Sequence, residues 1–431
     1  MRQAEQRASR RPATSAAEAA WAAIFCVTIL AFMPLVPRAG ALSLDASPSR
    51  IMELALLGAA LAAALVRAPP SRLIAVISAN AGLALVLGTF ALWAALTSII
   101  AGRTPTGIVK AAELASVLLI AFASHADPRL RPASTPRVIV LAIVAATVIL
   151  LAANIPIYGE ILPLRPTEGQ SRIRLMLGFN HPLGSAFLLA VGMVAAVYAR
   201  FSWPVVVTIE ALLVPLFLLC DARGISVGLL AAGAATIWLA ARPVARAAMN
   251  VIVLVAAAAM LIFLALQETY LAKLTELATG DAISLNGRVE VWELAWRVAM
   301  DHPLFGIGYY NLRYFVMTAF NWSGTAHNSL LEVLASTGIP GAALFLGFGL
   351  IWLTRVVSSR DGFLLALTPI LLIEGNLNSI LFVPSSAFLL LLLPLLSPVR
   401  HPSLAGAGAV LHSSRRATST PAMRSAWTAG R

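Results

Sequence analysis

Apolar runs of about twenty residues recur along the chain, and each can cross a ~30 Å hydrocarbon layer as a helix. Twelve can be marked, at roughly 19–37, 51–67, 73–100, 108–125, 137–157, 182–200, 203–220, 224–242, 246–267, 339–357, 362–379 and 382–398. In lipid each segment must satisfy its own backbone polar groups, which makes helix the form these runs take. The apolar character continues all round each run, without the period-2 alternation of a transmembrane β-barrel. Only 12% of residues are charged, against about 25% in soluble domains. With 59% hydrophobic residues and a mean hydropathy of +0.86, the sequence predicts an all-α polytopic integral membrane protein with one long extramembrane loop. The third run is long enough to tilt or kink, and Gly82 and Gly88 within it tolerate either.

A net charge of +12 would suggest nucleic acid in a soluble protein. In a membrane chain the placement of charge matters more than its size. With the N-terminus inside, nineteen Lys and Arg fall in inner segments and eleven in outer ones, and Lys110 lies in a span. That bias predicts cytoplasmic termini. The domain plan is then an N-terminal segment 1–18, helices over 19–267, a periplasmic loop 268–338, helices over 339–398 and a disordered basic tail 399–431. Cys26 and Cys220 sit in apolar segments and read as buried, inert thiols. The first apolar run ends at Pro37 without a small-residue cleavage site, so no cleavable signal is expected.

The longest polar interruption is the place to look for chemistry. Gly287–Gly341 holds His302 and His327, with Arg288, Arg297 and Arg313. Two turns, Gly306-Ile-Gly308 and Ser336-Thr-Gly-Ile-Pro-Gly341, punctuate it. Within 287–302, Val289, Trp292, Leu294, Trp296 and Val298–Met300 alternate with charges, which predicts an amphipathic helix lying along the interface. His327-Asn328 precedes a short helix over 328–337, with Leu330, Leu331, Val333 and Leu334 facing inward. Backbone N–H groups at such a start attract anions. A neutral imidazole there can accept a proton from a hydroxyl, and Glu332, four residues from Asn328, can orient the site. His302, before Pro303, reads as a turn residue. Arg223 lies between two apolar runs in a very short hairpin, Asp221-Ala222-Arg223-Gly224. It is either a snorkelling or Asp221-paired surface charge, or an anion clamp using arginine's planar fork.

These motifs carry a resemblance. Gly287-Arg288, the run His302-Pro-Leu-Phe-Gly-Ile-Gly-Tyr-Tyr-Asn311, and His327-Asn328 followed by Glu332 and the Ser-Thr-Gly-Ile-Pro-Gly turn resemble the signature region of bacterial O-antigen ligases and polymerases. Arg174 to Asn180-His181 resembles the family's arginine-to-asparagine stretch before a span. Ala222-Arg223-Gly224 keeps the arginine of the family's Ser-Arg-Gly-like hairpin without its hydroxyl. The resemblance implies a GT-C-like fold in the bacterial inner membrane with an active site facing the periplasm. It implies transfer of a glycan from an undecaprenyl-diphosphate carrier onto lipid A–core, or onto another glycan in the polymerases, by a metal-independent, inverting reaction. It implies no cofactor, and partners that are the lipid-linked donor, a lipid A–core or glycan acceptor and membrane lipid. In these terms Arg223, Arg288 and Arg174 bind the diphosphate, Asn180, His181, Asn328 and Glu332 complete the substrate site, and His327 is the general base, with His181 its rival.

Two further readings bear on this. Metal-dependent lipid-linked glycosyltransferases need an acidic pair in the first outer loop, and Arg38–Arg50 offers only Asp45. A transporter of twelve helices should place ionisable residues near mid-membrane. The ionisable residues within spans are few, namely Glu53, Lys110, Glu113, Glu210 and Glu374, while polar residues gather at one face. Within the family, the compact outer loop favours a ligase over a polymerase, and transfer to protein hydroxyls also occurs among relatives.

Overall fold

The computed structural model describes residues 15–33, 48–102, 104–166, 173–178, 182–240, 288–320, 325–359, 361–377 and 381–396. The span expected at 246–267, the N-terminal segment before Ser15 and the tail 399–431 lie outside the described residues.

The first helix, α1 (Ala16–Phe32), begins with a reciprocal cap. The Glu18 N–H donates to Ser15 Oγ at 3.2 Å, and the Ser15 N–H donates to Glu18 Oε2 at 3.0 Å. Then follow α2 (Pro48–Arg67), α3 (Pro70–Ala79), α4 (Ala81–Ile100), α5 (Thr104–Ala126) and α6 (Thr135–Tyr158). Beyond a short β-hairpin come α7 (Pro182–Tyr198), α8 (Trp203–Leu219) and α9 (Arg223–Ala240). After the undescribed segment come α10 (Arg288–Asp301), α11 (Leu312–Phe320), α12 (Ser329–Ser359), α13 (Gly362–Leu377) and α14 (Ser386–Leu395).

Five of these helices are long and apolar enough to cross a bilayer: α2, α4, α5, α6 and α12. Their lipid-type faces are apolar and unburied; on α4, Leu85 is 70% exposed and Leu92 76%. Charged side chains of α1, α2, α5 and α6 instead turn inward and find partners, as when Arg137 Nη1 lies 3.5 Å from Glu18 Oε2. The architecture is that of an all-α, multi-pass membrane protein.

Three local features depart from or sharpen the sequence reading. The long third run is two helices that meet at Asn80, not at Gly82 or Gly88. Asn80 Nδ2 donates to the Val76 carbonyl at 2.9 Å while its Oδ1 accepts from Arg355 Nη1 at 2.9 Å, so a polar side chain supplies the bonds that the break frees. The connection after α6 is not purely irregular: β1 (Leu164–Pro166) pairs antiparallel with β2 (Ile173–Leu175), with Arg165 opposite Arg174. Lastly, α10 buries Val291, Ala295, Val298 and Ala299 and leaves Trp296, Met300 and Val289 exposed. The buried set is the i, i+4, i+7, i+8 stripe of small and branched residues that lets α10 pack closely on α12. Leu294 packs against the same cluster, so the helix is amphipathic, with Trp296 and Met300 on its outer face.

Candidate functional site

The signature turns meet each other through backbone. The Ile307 N–H donates to the Ala335 carbonyl at 3.0 Å, and the Ile339 N–H donates to the Pro303 carbonyl at 2.8 Å. This approach needs glycine on both sides. Gly306 (φ +62°) and Gly338 (φ +71°) adopt the left-handed conformation. A Cβ on Gly306 would sit 2.5 Å from Thr337 N and 2.6 Å from the Ala335 carbonyl oxygen, and one on Gly338 would sit 2.8 Å from Phe305 N. Gly338 also interrupts α12, so Ser329–Thr337 is a separate short helix before the long one. Trp93 of α4 clamps the junction: its Nε1 donates to the Thr337 carbonyl at 2.8 Å and its ring stacks on Phe305 at 5.4 Å.

The same loop reaches into the bundle. Tyr309 is 3% exposed and its hydroxyl donates to the Phe382 carbonyl at 2.7 Å. Burial pushes its phenol well above the ordinary range, which keeps it a neutral donor. Its ring and that of Phe382 both pack against Phe90 of α4.

His327 sits at the tip of this assembly with φ +51°, an unusual conformation for a residue with a side chain. The turn that holds it is built by its neighbours. Asn328 Oδ1 accepts the Leu331 N–H at 3.0 Å, an N-terminal cap on the short helix. Buried Glu332 reaches back so that Oε2 accepts the Ala326 N–H at 2.7 Å. Asn328 and Glu332, expected to complete the substrate site, both hold backbone here, one on each side of His327. Of the four residues expected to face inward on this helix, Val333 is buried, Leu331 and Leu334 are half-buried, and Leu330 is exposed. Ala326, Ala335, Val291, Ala295 and Leu312 share one apolar cluster, which ties α10, α11 and the short helix into a unit. Arg288 opens α10, three residues before Val291.

The α8–α9 hairpin comes to the same place by way of α13. A Cβ on Gly228 of α9 would lie 2.9 Å from Ile370 Cα, and at the other end of the pair Tyr198 contacts both Thr236 of α9 and Phe363 of α13. The two helices are therefore antiparallel. At 1.5 Å per residue, Arg223 lies ~7.5 Å beyond Gly228, and Glu374 ~6 Å beyond Ile370 in the same direction. The start of α9 and the buried Glu374 stand at one level. Next along α13, a Cβ on Gly375 would be 3.9 Å from Ser329 Oγ, two residues from His327. The end of α13 is thus flanked by the backbone that carries Arg223 and the backbone that carries His327.

Arg174 joins from the hairpin. It is 6% exposed, β2 packs against α8, and its guanidinium is near enough to Cys220 to act on it electrostatically. Asn154 of α6 positions this loop: its Nδ2 donates to the Ile161 and Met176 carbonyls at 3.0 Å each, and its Oδ1 accepts the Gly178 N–H at 2.9 Å. Asn180 and His181 lie outside the described residues. His302 is exposed and stands apart from His327; its carbonyl accepts the Gly306 N–H at 2.9 Å, and it lines a mainly apolar cavity of about 510 Å³ with Leu304, Phe305 and Phe315. The residues that sequence reasoning passed over are Ser329 and Trp93, and Tyr309 enters it only as part of a motif run. A lone tryptophan within an apolar run could have marked Trp93.

Residues 211–346 match a family model described as O-Antigen ligase, and the match supports the resemblance carried by the motifs. The matched stretch contains Arg223, Arg288, His327, Asn328 and Glu332. Comparison with curated proteins gives no match.

Proposed function

We propose that this protein transfers a glycan from an undecaprenyl-diphosphate carrier to the sugar of a lipid A–core acceptor, at the periplasmic face of the inner membrane. The observation that carries this reading is the junction at the end of α13, where the backbones bearing Arg223 and His327 flank one helix end. Such a reaction breaks the bond between the sugar's anomeric carbon and the diphosphate oxygen. It forms a bond from the same carbon to the acceptor oxygen. The acceptor proton needs a base, and the departing diphosphate needs cations.

His327 is the group to which this reading gives the proton. The Asn328 cap and the Glu332 brace hold its backbone from both sides. Arg223, Arg288 and Arg174 are the cations that meet the diphosphate, and Asn180 and His181 complete that side. Arginine suits the task because its fork binds two phosphate oxygens at once and stays charged when partly desolvated. Attack from the face opposite the leaving group inverts the anomeric centre. The reading needs no metal, since three guanidinium groups supply the positive charge.

The test is transfer in proteoliposomes with a lipid-linked donor and a lipid A–core acceptor. His327→Ala should lower kcat by about 10² to 10⁴-fold, the usual contribution of a general base. Because protonation below its own pKa disables the base, the wild-type rate should fall on the acid side, and that limb should vanish in the variant. Donor binding should change little. His181→Ala is the internal comparison: full activity in His327→Ala beside an inactive His181→Ala would move the base to the β2–α7 loop. Band patterns of lipopolysaccharide in a deletion strain separate the branches, since a ligase loss removes all O-antigen bands and a polymerase loss leaves one repeat.

A further inference from the structure

Tyr310 is held in the left-handed region at φ +67°, where a side-chain-bearing residue is strained and persists only if its surroundings fix it. Two cations lie over its ring: Lys110 Nζ at 5.3 Å and Arg313 Cζ at 4.7 Å from the centroid. Their electrostatic situations differ. Lys110 is answered by Glu53 Oε1 at 3.0 Å and Glu113 Oε2 at 2.8 Å. Arg50 binds the same two carboxylates, with Nη1 2.7 Å from Glu53 Oε2 and Nη2 on Glu113. Two cations and two anions make that quartet neutral. Arg313 has no such answer: among the described residues no carboxylate pairs with it, and its buried Nε–H takes no acceptor.

We propose that Arg313 is a binding residue for a phosphate group of the substrate. A half-buried guanidinium needs an anion or full hydration, and the ring beneath it supplies only about 1–2 kcal/mol. Its place fits. Tyr310 and Glu332 line one small cavity, and Glu332 braces Ala326 next to His327. α11, which carries Arg313, packs through Leu312 and Val316 into the cluster that also contains Ala326. The Tyr314 hydroxyl, 3.1 Å from Thr106 Oγ1, fixes the helix to α5. Arg313 therefore stands on a rigid mount beside the candidate site, its aromatic cradle next to a neutral charge network that leaves no described carboxylate to answer the arginine's own charge. The nature of the phosphate-bearing substrate rests on the transferase reading above; the anion seat itself does not.

Two measurements test it. In proteoliposomes, Arg313→Gln should raise KM about tenfold or more for one phosphorylated substrate, the loss of a charge-assisted hydrogen bond, with kcat nearly unchanged. Separate titration of donor and acceptor identifies which substrate carries the phosphate. Arg313→Lys should recover part of the loss. Tyr310→Leu, which removes the cradle, should reproduce the KM effect, and Tyr310→Phe should not. Independently, inorganic pyrophosphate should raise the melting temperature of the purified wild-type protein and should do so less for Arg313→Gln. A wild type that lacks transfer activity but shows this difference keeps the anion seat and removes the transferase reading. An Arg313→Gln protein with both KM values and pyrophosphate stabilisation at wild-type levels overturns the proposal.

Discussion

Gly306→Ala is a small substitution with a large consequence in this structure. The added methyl would overlap the Ser336 carbonyl carbon and lie 2.5 Å from Thr337 N, all backbone atoms that cannot rotate away. An alanine at φ +62° adds about 1–2 kcal/mol of its own. Overlap with fixed backbone adds about 1–3 kcal/mol, and relief requires the loop to lift from the α12 break, breaking the Ile307-to-Ala335 and Ile339-to-Pro303 hydrogen bonds. Strain and overlap together weigh about 2–5 kcal/mol against docking, roughly a 10- to 10³-fold shift toward the undocked loop. The transmembrane helices do not depend on that contact, so expression and detergent-solubilised monodispersity should persist. Transfer activity should fall by a comparable factor, and hydrogen exchange at Ile307 and Ile339 should accelerate while that of α4 and α6 does not. Gly349→Ala, where an added Cβ meets nothing within 4 Å, is the comparison and should be silent. A Gly306→Ala protein with wild-type activity and unchanged exchange at Ile307 would refute the backbone-docking argument.

Arg288→Ala should cost far more transfer activity than Arg297→Ala on the same helix, since Arg297 is exposed and its Nε turns back 3.4 Å to the Glu293 carbonyl; equal losses would make both general surface charges. Asn154→Ala leaves two carbonyls and one N–H of the hairpin loop without their partner, so thermal stability should drop by about 2–3 kcal/mol and protease sensitivity should appear between residues 159 and 178. Glu374→Gln keeps the shape of a buried side chain and removes its charge; activity should fall with the folded yield retained, and a fully active variant would reduce Glu374 to a packing residue.

Much of the scaffold was legible because a hydrocarbon solvent leaves few choices. Runs such as Ala81–Ile100 and Thr135–Tyr158 announce themselves by length and apolarity alone. The break at Asn80 was not legible, because the Asn80 side chain is held there in part by the distant Arg355. Which face of α10 is buried was not legible either. Hydrophobicity alone does not choose between Trp296 and Ala295, and close helix packing buries the smaller residue. At the candidate site, the motif residues Arg288, His327, Asn328 and Glu332 could be picked out as chemical types in a polar stretch. What brings them together could not: it depends on Gly228 against Ile370, Gly375 beside Ser329 and Gly306 against the Ser336–Thr337 backbone, contacts made by absent side chains.

The tie between Tyr309 and the Phe382 carbonyl sets an order of events during synthesis. A second link has the same direction, since Ser329 Oγ accepts the Leu381 N–H at 3.2 Å. Both anchors of the signature region belong to the connection between α13 and α14, which leaves the ribosome some fifty residues after His327. The signature loop is therefore made early and fastened late. Until the last hairpin of helices has been handed to the membrane, the nascent chain carries its motifs without the two bonds that fasten them.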